Sequence, residues 1–244
     1  MGLQVVLLKS FINEKKIVVK DDQIEKLRLF EDMVIETNEK FNLTNITSEP
    51  DFTIKHIIDS LVGVPYIPKN AKLLDIGTGA GFPSMPIAIT RPDVTVEAID
   101  STEKKINFVN RCAKELNVPN IKAMSIRAEE MSKDNKYDCI VARAVAALPI
   151  LMELAVLILN IGGIFIAYKA TQDELSDCKK AFKELNCELD NVVTLTLPNE
   201  DNRCLIIIKK IGETPNKYPR NYSQIKKKPL EQYFLYSCNF NILL

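Results

Sequence analysis

The chain has 244 residues, of which 46% are hydrophobic, and its 32 basic residues balance its 32 acidic residues, so the formal net charge is zero. This length and apolar content suffice for one large α/β domain and exclude wholesale disorder. No stretch reaches the ~18–20 apolar residues that span a bilayer, and no Cys-x-x-Cys pair is present. The N-terminal residues lack the long apolar run and small-residue cleavage site of a signal peptide, so we expect none. We therefore expect a cytoplasmic protein that has no membrane association and no metal.

A helical extension is predicted at the N-terminus. Apolar residues recur at steps of three and four over residues 22–41, as on one face of an amphipathic helix. Residues 42–47 (NLTNIT) break this pattern, and a second short helix is predicted between Pro50 and Pro65. We assign residues 1–65 to this extension.

From residue 71 onward, short apolar runs alternate with helical patterns. Strands are predicted at 73–76, 94–99, 121–126, 138–142, 164–168, 189–197 and 203–210. Helices are predicted near 83–90, 102–117, 148–159 and 172–185. Gly162 and Gly163 are predicted to turn the chain into the fifth strand. Repeated β-α units require a mostly parallel sheet with helices on both faces, so we assign residues 66–212 to an α/β core.

The last two predicted strands are joined by about five residues, Pro198 to Asn202. A parallel crossover needs a dozen or more residues, so these strands must form an antiparallel hairpin. The sequence thus predicts a mostly parallel seven-stranded sheet that ends in an antiparallel hairpin. Nicotinamide dehydrogenases do not usually end in this way, and the hairpin favours the Rossmann-like class I methyltransferase variant of the fold.

Residues 75–82 (DIGTGAGF) form a glycine-rich turn between the first core strand and a helix. Gly77, Gly79 and Gly81 let the backbone turn tightly and let a ligand approach it closely, and the helix N-terminus supplies free N–H groups. In isolation the same pattern fits a tight strand–helix connection. The strand before it and the helix after it favour a cofactor site.

Asp100 ends the second core strand, 19 residues beyond Gly81. A carboxylate in this place accepts hydrogen bonds from ribose hydroxyls, and it also suits the N-cap of the following helix. Both roles are compatible. NAD and S-adenosylmethionine are the two candidate cofactors, and the spacing GxGxG, which differs from the dinucleotide pattern GxGxxG, favours S-adenosylmethionine.

Further candidate residues follow the third, fourth and fifth core strands. Ala128 and Glu129 lie in a loop that is expected to border an adenine, with a solvated charged turn as the alternative. Arg143 interrupts an apolar run and is costly to bury unless it is paired, so it is either a site residue or one half of a structural ion pair. Lys169 ends the fifth strand in the same layer and is a further candidate for the site.

His56, Asp59 and Ser60 have the residue types of a catalytic triad. On a helix Ser60 lies four residues from His56, but Asp59 competes for the same face, and no nucleophile-elbow motif surrounds the serine. We favour a helix that packs over the cofactor cleft, and we assign no catalytic residue.

Basic residues are concentrated near the C-terminus. Seven lie between Lys209 and Lys228 with the single acid Glu213, so this segment carries a net charge of +6. Cations interleaved with aromatic residues suit contact with phosphates and bases, although a solvated tail is the alternative. The candidate RNA-binding residues are Lys217, Arg220, Lys226, Lys227 and Lys228. We assign residues 213–244 to a basic C-terminal segment and tail.

Taken together, several short motifs resemble the RsmG (GidB) family of ribosomal RNA methyltransferases over roughly residues 22–230. The motifs are NLTNI at 42–46, KHIIDSL at 55–61, DIGTGAGFP at 75–83, RAEE at 127–130, ARAVA at 142–146, KYPR at 217–220 and KKPL at 227–230. Ser84 stands where the family usually has a second turn glycine, Ala170 stands where a glycine is common, and Tyr222-Ser223-Gln224 replaces a Gly-Thr-Pro-like sequence. Residues 231–244 extend past the usual end.

The resemblance implies methylation of N7 of a guanine in 16S rRNA of the small ribosomal subunit, with S-adenosylmethionine as the methyl donor. The substrate would be the rRNA, the subunit or its assembly intermediate. By the same resemblance, Gly77 and Phe82 contact the cofactor, Ala128 and Glu129 line its adenine end, and Arg143 completes the site.

Guanine N7 already presents an in-plane lone pair, so we expect an in-line methyl transfer that depends on orientation and needs no obligatory general base. A methyltransferase for a small molecule or a protein is the alternative within enzyme chemistry. A non-catalytic RNA-binding module that keeps a vestigial cofactor fold is the alternative outside it.

Overall fold

A computed structural model describes residues 3–231 of the chain. The longer helices are α1 (Val5–Glu14), α2 (Asp21–Asn38), α4 (Ser84–Thr90), α5 (Glu103–Glu115), α6 (Leu148–Ala155), α7 (Lys179–Leu185) and α8 (Tyr222–Lys227). Between α2 and α4, helix α3 consists of the π-helical stretch Thr53–Ile58 and the α-helical stretch Asp59–Leu61. Helix α1 was not predicted, although its buried residues Leu8, Phe11 and Ile12 have helical spacing.

The strands form one seven-stranded sheet in the order β3-β2-β1-β4-β5-β7-β6. Their bounds are β1 (Lys72–Ile76), β2 (Thr95–Asp100), β3 (Ile121–Ser125), β4 (Tyr137–Arg143), β5 (Leu159–Lys169), β6 (Cys187–Thr196) and β7 (Asn202–Lys210). Strands β1 to β5 are parallel to one another, whereas β7 is antiparallel to both β5 and β6. The predicted sheet and its terminal hairpin are therefore confirmed.

Both faces of the sheet are covered by helices, which explains why its central strands β1 and β4 are buried over most of their length. Successive residues of β1 point to opposite faces, so Leu73 belongs to the core beneath α1 to α5 and Leu74 to the core beneath α6 and α7. Both leucines are fully buried, and each such side chain stabilises the fold by about 1.5–3 kcal/mol. The N-terminal helices share the first of these cores with the sheet.

The sheet reverses its winding direction between β1 and β4. From β1 the chain proceeds outward to β2 and β3, and it then returns to place β4 on the other side of β1. In an open α/β sheet, the crevice outside the carboxyl ends of two such strands is the usual place for a ligand. The glycine turn after Ile76 and the segment after Arg143 both lie at this crevice.

One local prediction was wrong. Gly162 and Gly163 do not turn the chain into the fifth strand, because they lie inside β5, which begins at Leu159. The pairing of β5 with β4 shifts register next to them, and a Cβ on Gly163 would lie 2.9 Å from the carbonyl oxygen of Asn160 and 3.0 Å from that of Asp138. The glycines therefore accommodate an irregularity within the strand.

The division into an extension, a core and a basic segment stays a prediction. Residues 232–244, which make up most of the predicted apolar tail, lie outside the described residues. Within residues 3–231, no helix is both long enough and apolar enough to cross a membrane. The same residues contain no cluster of His, Cys, Asp or Glu side chains suited to a metal ion.

Candidate active site

The glycine turn forms the floor of a cleft at the carboxyl end of β1. Gly77, Gly79 and Gly81 all have positive φ angles, of 75°, 59° and 99°, which L-residues with side chains rarely adopt. A Cβ on Gly77 would lie 2.5 Å from Cγ2 of Val145, whereas one on Gly79 would project into open space. The turn thus leaves bare backbone at Gly79 where a ligand can approach.

Asp100 holds this turn in place. Its Oδ2 accepts a hydrogen bond from the Gly79 N–H at 3.1 Å, and its Oδ1 accepts one from the Thr102 N–H at 2.8 Å. The N-cap of α5 is Thr102, so Asp100 lies before the helix and does not occupy the cap position. The carboxylate instead lines the cleft, as the ribose-binding prediction requires.

Two cavities meet at the glycine turn. The smaller, about 190 Å³, contains the predicted adenine-binding residues Ala128 and Glu129, and the larger, about 680 Å³, contains Phe82 and Arg143. Gly77, Asp100 and Val145 line both. The structure therefore brings all seven predicted cofactor residues to one crevice, with five at or beside the smaller cavity and Phe82 and Arg143 on the other side.

The larger cavity has a carboxylate held between two guanidinium groups. Asp59, on α3, accepts a hydrogen bond from Nη1 of Arg143 at 2.9 Å and one from Nε of Arg203 at 2.8 Å. Arg143 Nη1 also donates to the carbonyl oxygen of Lys55 at 2.7 Å. Arg143 is thus both a site residue and one partner of an ion pair, so the two alternatives hold together. The predicted candidate Lys169 also lines this cavity and binds Glu174 at 2.9 Å.

Sequence reasoning did not identify Arg203. It lies on β7, which is remote in sequence from the glycine turn, and the only signal for it is a cation near the start of an apolar strand. Arg203 pairs with Asp59 and lines the larger cavity because the fold places β7 next to α3.

His56 is a buried and neutral side chain. Its ring stacks on Phe82 with centroids 4.5 Å apart, and Nε2 lies 2.8 Å from Oγ1 of Thr44. Burial, assisted by the positive charge of Arg143, lowers the pKa of this imidazole to about 3. Ser60 donates its hydroxyl hydrogen to the backbone carbonyl of His56 and not to the imidazole. His56, Asp59 and Ser60 therefore do not form a hydrolytic triad. This agrees with the sequence analysis, which assigned no catalytic residue to this helix.

Asp75 lies beneath the turn and is fully buried. Its Oδ2 accepts a hydrogen bond from the Ser84 N–H at 3.2 Å, and its Oδ1 has no hydrogen-bond partner among the described residues. Burial raises the pKa of this carboxyl to about 6, against the opposing effect of hydrogen bonds from Thr78 and Ser84. An acceptor oxygen thus remains unused directly under the ligand crevice.

The family model described as "GidB: rRNA small subunit methyltransferase G" matches residues 23–204. This range contains the glycine turn, the Asp59 ion pairs and both arginines of the larger cavity. The chain belongs to this family.

Relatives of this methyltransferase family align over nearly the whole chain. The protein named ribosomal RNA small subunit methyltransferase G from Pelotomaculum thermopropionicum is 38% identical over 239 residues, which cover 94% of this chain and 100% of the relative. The protein of the same name from Acetivibrio thermocellus is 41% identical over 217 residues, which cover 86% and 90%.

Solved structures share the Rossmann-like methyltransferase fold at low identity. Trm5b from Pyrococcus abyssi has a TM-score of 0.54 at 14% identity and covers 70% of this chain and 52% of that chain. The ribosomal protein L11 methylase from Lactobacillus delbrueckii has a TM-score of 0.51 at 19% identity and covers 63% and 77%. The [4+2]-cyclase SpnF has a TM-score of 0.52 at 13% identity and covers 64% and 80%. Because a cyclase shares this fold, the fold does not by itself decide the reaction.

The basic C-terminal segment lies beyond the range that the family model matches. Arg220 is paired at 2.6 Å with Glu153 of α6, a fully buried residue, and Lys217 is paired at 2.8 Å with Glu184 of α7. Residues 226–228, all lysines, are exposed and form no salt bridge with another described residue. Arg220 and Lys217 thus help to attach the segment to the core, and an RNA-binding role for the five cations stays a prediction.

Proposed function

We propose that this protein transfers a methyl group from S-adenosylmethionine to N7 of a guanine in 16S rRNA, within the small ribosomal subunit or its assembly intermediate in the cytoplasm. One observation carries the proposal. In a member of the small-subunit rRNA methyltransferase family, the smaller cavity at the glycine turn adjoins the larger cavity, which Arg143 and Arg203 line. The names of the relatives support rRNA as the substrate. The N7 position rests on the motif resemblance.

The smaller cavity and the turn fit S-adenosylmethionine. Gly77 and Gly79 would lie against its central part, Asp100 would accept hydrogen bonds from the ribose hydroxyls, and Ala128 and Glu129 would border the adenine. A ligand can approach the backbone at Gly79, because a Cβ there would meet nothing within 4 Å. The turn, residues 77–81, contains no basic residue that would pair with a pyrophosphate. When bound, this cofactor supplies an electrophilic methyl group on a sulfonium.

The larger cavity suits an acceptor that needs orientation rather than deprotonation. His56 is neutral, and the carboxylate of Asp59 is held by two guanidinium groups, so neither is a free base. Arg143 and Arg203 together outweigh the charge of Asp59 and leave a positive wall that matches a phosphate or the O6 edge of a guanine. The purine N7 lone pair then remains available for attack.

The decisive experiment incubates the purified protein with labelled S-adenosylmethionine and, in separate reactions, undermethylated small subunits or naked 16S rRNA. The modified base is located by chemical cleavage at N7-methylguanine followed by primer extension. We expect incorporation at a guanine N7 with one or both substrates. The matched control is Gly77→Ala, whose Cβ would overlap Val145, and which should abolish incorporation.

Each outcome has a defined meaning. Label at a base atom other than N7 contradicts the chemistry while leaving the substrate class intact. Label in a small molecule or a protein, with none in rRNA, overturns the proposal. S-adenosylmethionine binding by calorimetry without incorporation into any substrate would support the non-catalytic RNA-binding alternative.

A further inference from the structure

The smaller cavity has a wall that does not come from the α/β core. Tyr222, the first residue of α8, lines this cavity together with apolar residues at the ends of β1 and β2 and on α6. Tyr222 is half-buried, whereas the next two residues of α8, Ser223 and Gln224, are exposed. Tyr222, which belongs to the basic C-terminal segment, therefore lines the same cavity as Ala128 and Glu129.

Several contacts of the neighbouring residues attach the segment that carries Tyr222. The backbone N–H of Arg220 donates to Oε1 of Glu153 at 2.8 Å, and the Arg220 guanidinium binds the same buried carboxylate. Asn221 caps α8, since its side-chain oxygen accepts a hydrogen bond from the Ser223 N–H at 3.0 Å. Ile225, one turn further, is fully buried. Tyr222 thus lies between an ion-paired residue and a buried anchor.

The chemistry of the cavity points to a flat heteroaromatic ring. Its lining is largely apolar, with Ile76, Ile99, Ile126 and Leu154 around it, and the carboxylates of Asp100 and Glu129 supply acceptors for hydroxyl and amino groups. A tyrosine ring beside such a cavity offers a surface on which an adenine can stack.

We propose that Tyr222 forms part of the adenine pocket of the methyl-donor site, so that the basic C-terminal segment belongs to the cofactor site as well as to any RNA-binding surface. This proposal rests on S-adenosylmethionine being the cofactor in the proposed function.

Binding to the unlabelled protein tests the proposal without any methyl transfer. Tyr222→Ala should raise the Kd of S-adenosylmethionine, S-adenosylhomocysteine and methylthioadenosine by a similar factor, roughly tenfold, because all three share the adenine that loses its stacking partner. Tyr222→Phe, which keeps the ring, should bind within about twofold of the wild type. Gln224→Ala, an exposed substitution in the same helix, is the matched control for any general loosening of α8.

A second measurement uses the absence of tryptophan from the chain. Tyr222→Trp places a single fluorophore in the cavity wall, and its emission should change on addition of S-adenosylhomocysteine with a midpoint at the calorimetric Kd. Tyr66→Trp is the control, because Tyr66 precedes the amino end of β1, whereas the cavities lie at its carboxyl end, and Tyr66 lines neither cavity.

Unchanged affinities in Tyr222→Ala, or an unchanged emission of Tyr222→Trp at saturating ligand, overturn the proposal. Failure of the wild type to bind S-adenosylmethionine instead overturns the cofactor of the proposed function. Loss of binding in Tyr222→Phe as well would assign the ring no role and contradict the stacking argument. The three results are distinguishable in one titration series.

Discussion

At the scale of single residues, burial determines what the site side chains do chemically. His56 is the single histidine of the chain, and its charged form is excluded by burial and by the nearby Arg143. Since Nδ1 lies 3.4 Å from Nη2 of Arg143, this nitrogen is the acceptor, and Nε2–H donates to Thr44. The imidazole is therefore a neutral packing and hydrogen-bonding group beside Phe82, and it is a poor general base.

The state of His56 can be read directly because no other histidine overlaps it. We expect its Hε1 NMR resonance to show no titration between about pH 8 and pH 5 in the folded protein, and to titrate near its ordinary pKa of about 6.5 in urea. Because the unfolded chain binds a proton that the folded chain excludes, the free energy of unfolding should fall as the pH drops from about 6.5 toward 3, by up to about 1.4 kcal/mol per pH unit. A folded-state midpoint above pH 5 would contradict the assignment.

Gly79 and Gly162 offer a matched pair of substitutions. Both have positive φ, of 59° and 86°, and a Cβ would meet nothing within 4 Å at either. The alanine variant at either position should therefore have a similar backbone strain of about 1–2 kcal/mol. Urea unfolding measures it as a loss in the free energy of unfolding. Only Gly79→Ala places a methyl group in the cofactor crevice, so it should weaken S-adenosylmethionine binding at least about tenfold, whereas Gly162→Ala should not. Equal affinities would show that backbone approach at Gly79 is not needed.

At the scale of elements, α3 connects the N-terminal helices to two strands of the sheet. The π-helical turns end at Ile58, and Asp59 follows at once with its carboxylate directed to Arg143 of β4 and Arg203 of β7. Such widened turns are frequent at functional sites because they change which side chains face a cleft. The ion pairs restrain the orientations of the two guanidinium groups, and both arginines line the larger cavity.

Asp59→Asn tests this arrangement. It removes the carboxylate that two largely buried guanidinium groups share, and Arg203 keeps only a 4.0 Å ion pair with Asp201. We expect a loss of about 2–4 kcal/mol in the free energy of unfolding, less than for fully buried pairs because both arginines retain some exposure. Methyl transfer to rRNA should fall steeply while the Kd of S-adenosylmethionine stays within about twofold.

The control for this prediction is Asp51→Asn. Asp51 is paired with Lys55 at 3.1 Å, but its side chain is 44% exposed. Exposed pairs are worth about 0–1 kcal/mol, so this variant should be nearly neutral in stability and activity. Similar effects of the two substitutions would argue that Asp59 has no special part in placing the arginines.

At the scale of the whole molecule, the charge is separated although it sums to zero. The segment from Lys209 to Lys228 carries +6, which leaves −6 on the rest of the chain. Arg220 and Lys217 are paired with carboxylates of α6 and α7, so the structure leaves the consecutive lysines 226–228 exposed on α8 and just after it. We propose these three exposed lysines as the cations that contact a polyanion.

Replacing residues 226–228 with alanine should therefore weaken rRNA binding in a salt-dependent way. The logarithm of the rRNA binding constant falls linearly with the logarithm of the salt concentration, and each lost phosphate contact makes this slope about 0.7–0.9 less negative. We therefore expect the slope to become less negative by about 2 for the three lysines, with unchanged affinity for S-adenosylmethionine. Filter binding over a salt series measures it. The control changes three exposed lysines elsewhere, Lys16, Lys69 and Lys122, and an equal change in slope there would remove the case for a specific basic segment.

Much of the architecture could be predicted because local patterns are sufficient for it. Strand lengths, the five-residue connection before β7 and the glycines of the turn constrain the backbone directly, and the confirmed sheet with its hairpin follows from them. The prediction for Gly162 and Gly163 failed because glycine permits both a turn and an irregular strand, and only the pairing with β4 decides between them. Residues 5–14 form a helix whose buried residues have helical spacing in the sequence.

The α/β class, the glycine turn, the place of Asp100 at the end of its strand, the basic C-terminal segment and, through short motifs, the family could all be predicted from local sequence patterns. Tertiary structure alone decided that Asp59 joins Arg143 to Arg203, that His56 is neutral, and that Tyr222 faces the smaller cavity. The physical reason is the distance along the sequence over which each kind of interaction acts. Backbone preferences and periodicity act over a few residues, whereas burial, ion pairing and cavity walls arise between segments that only the folded sheet brings together.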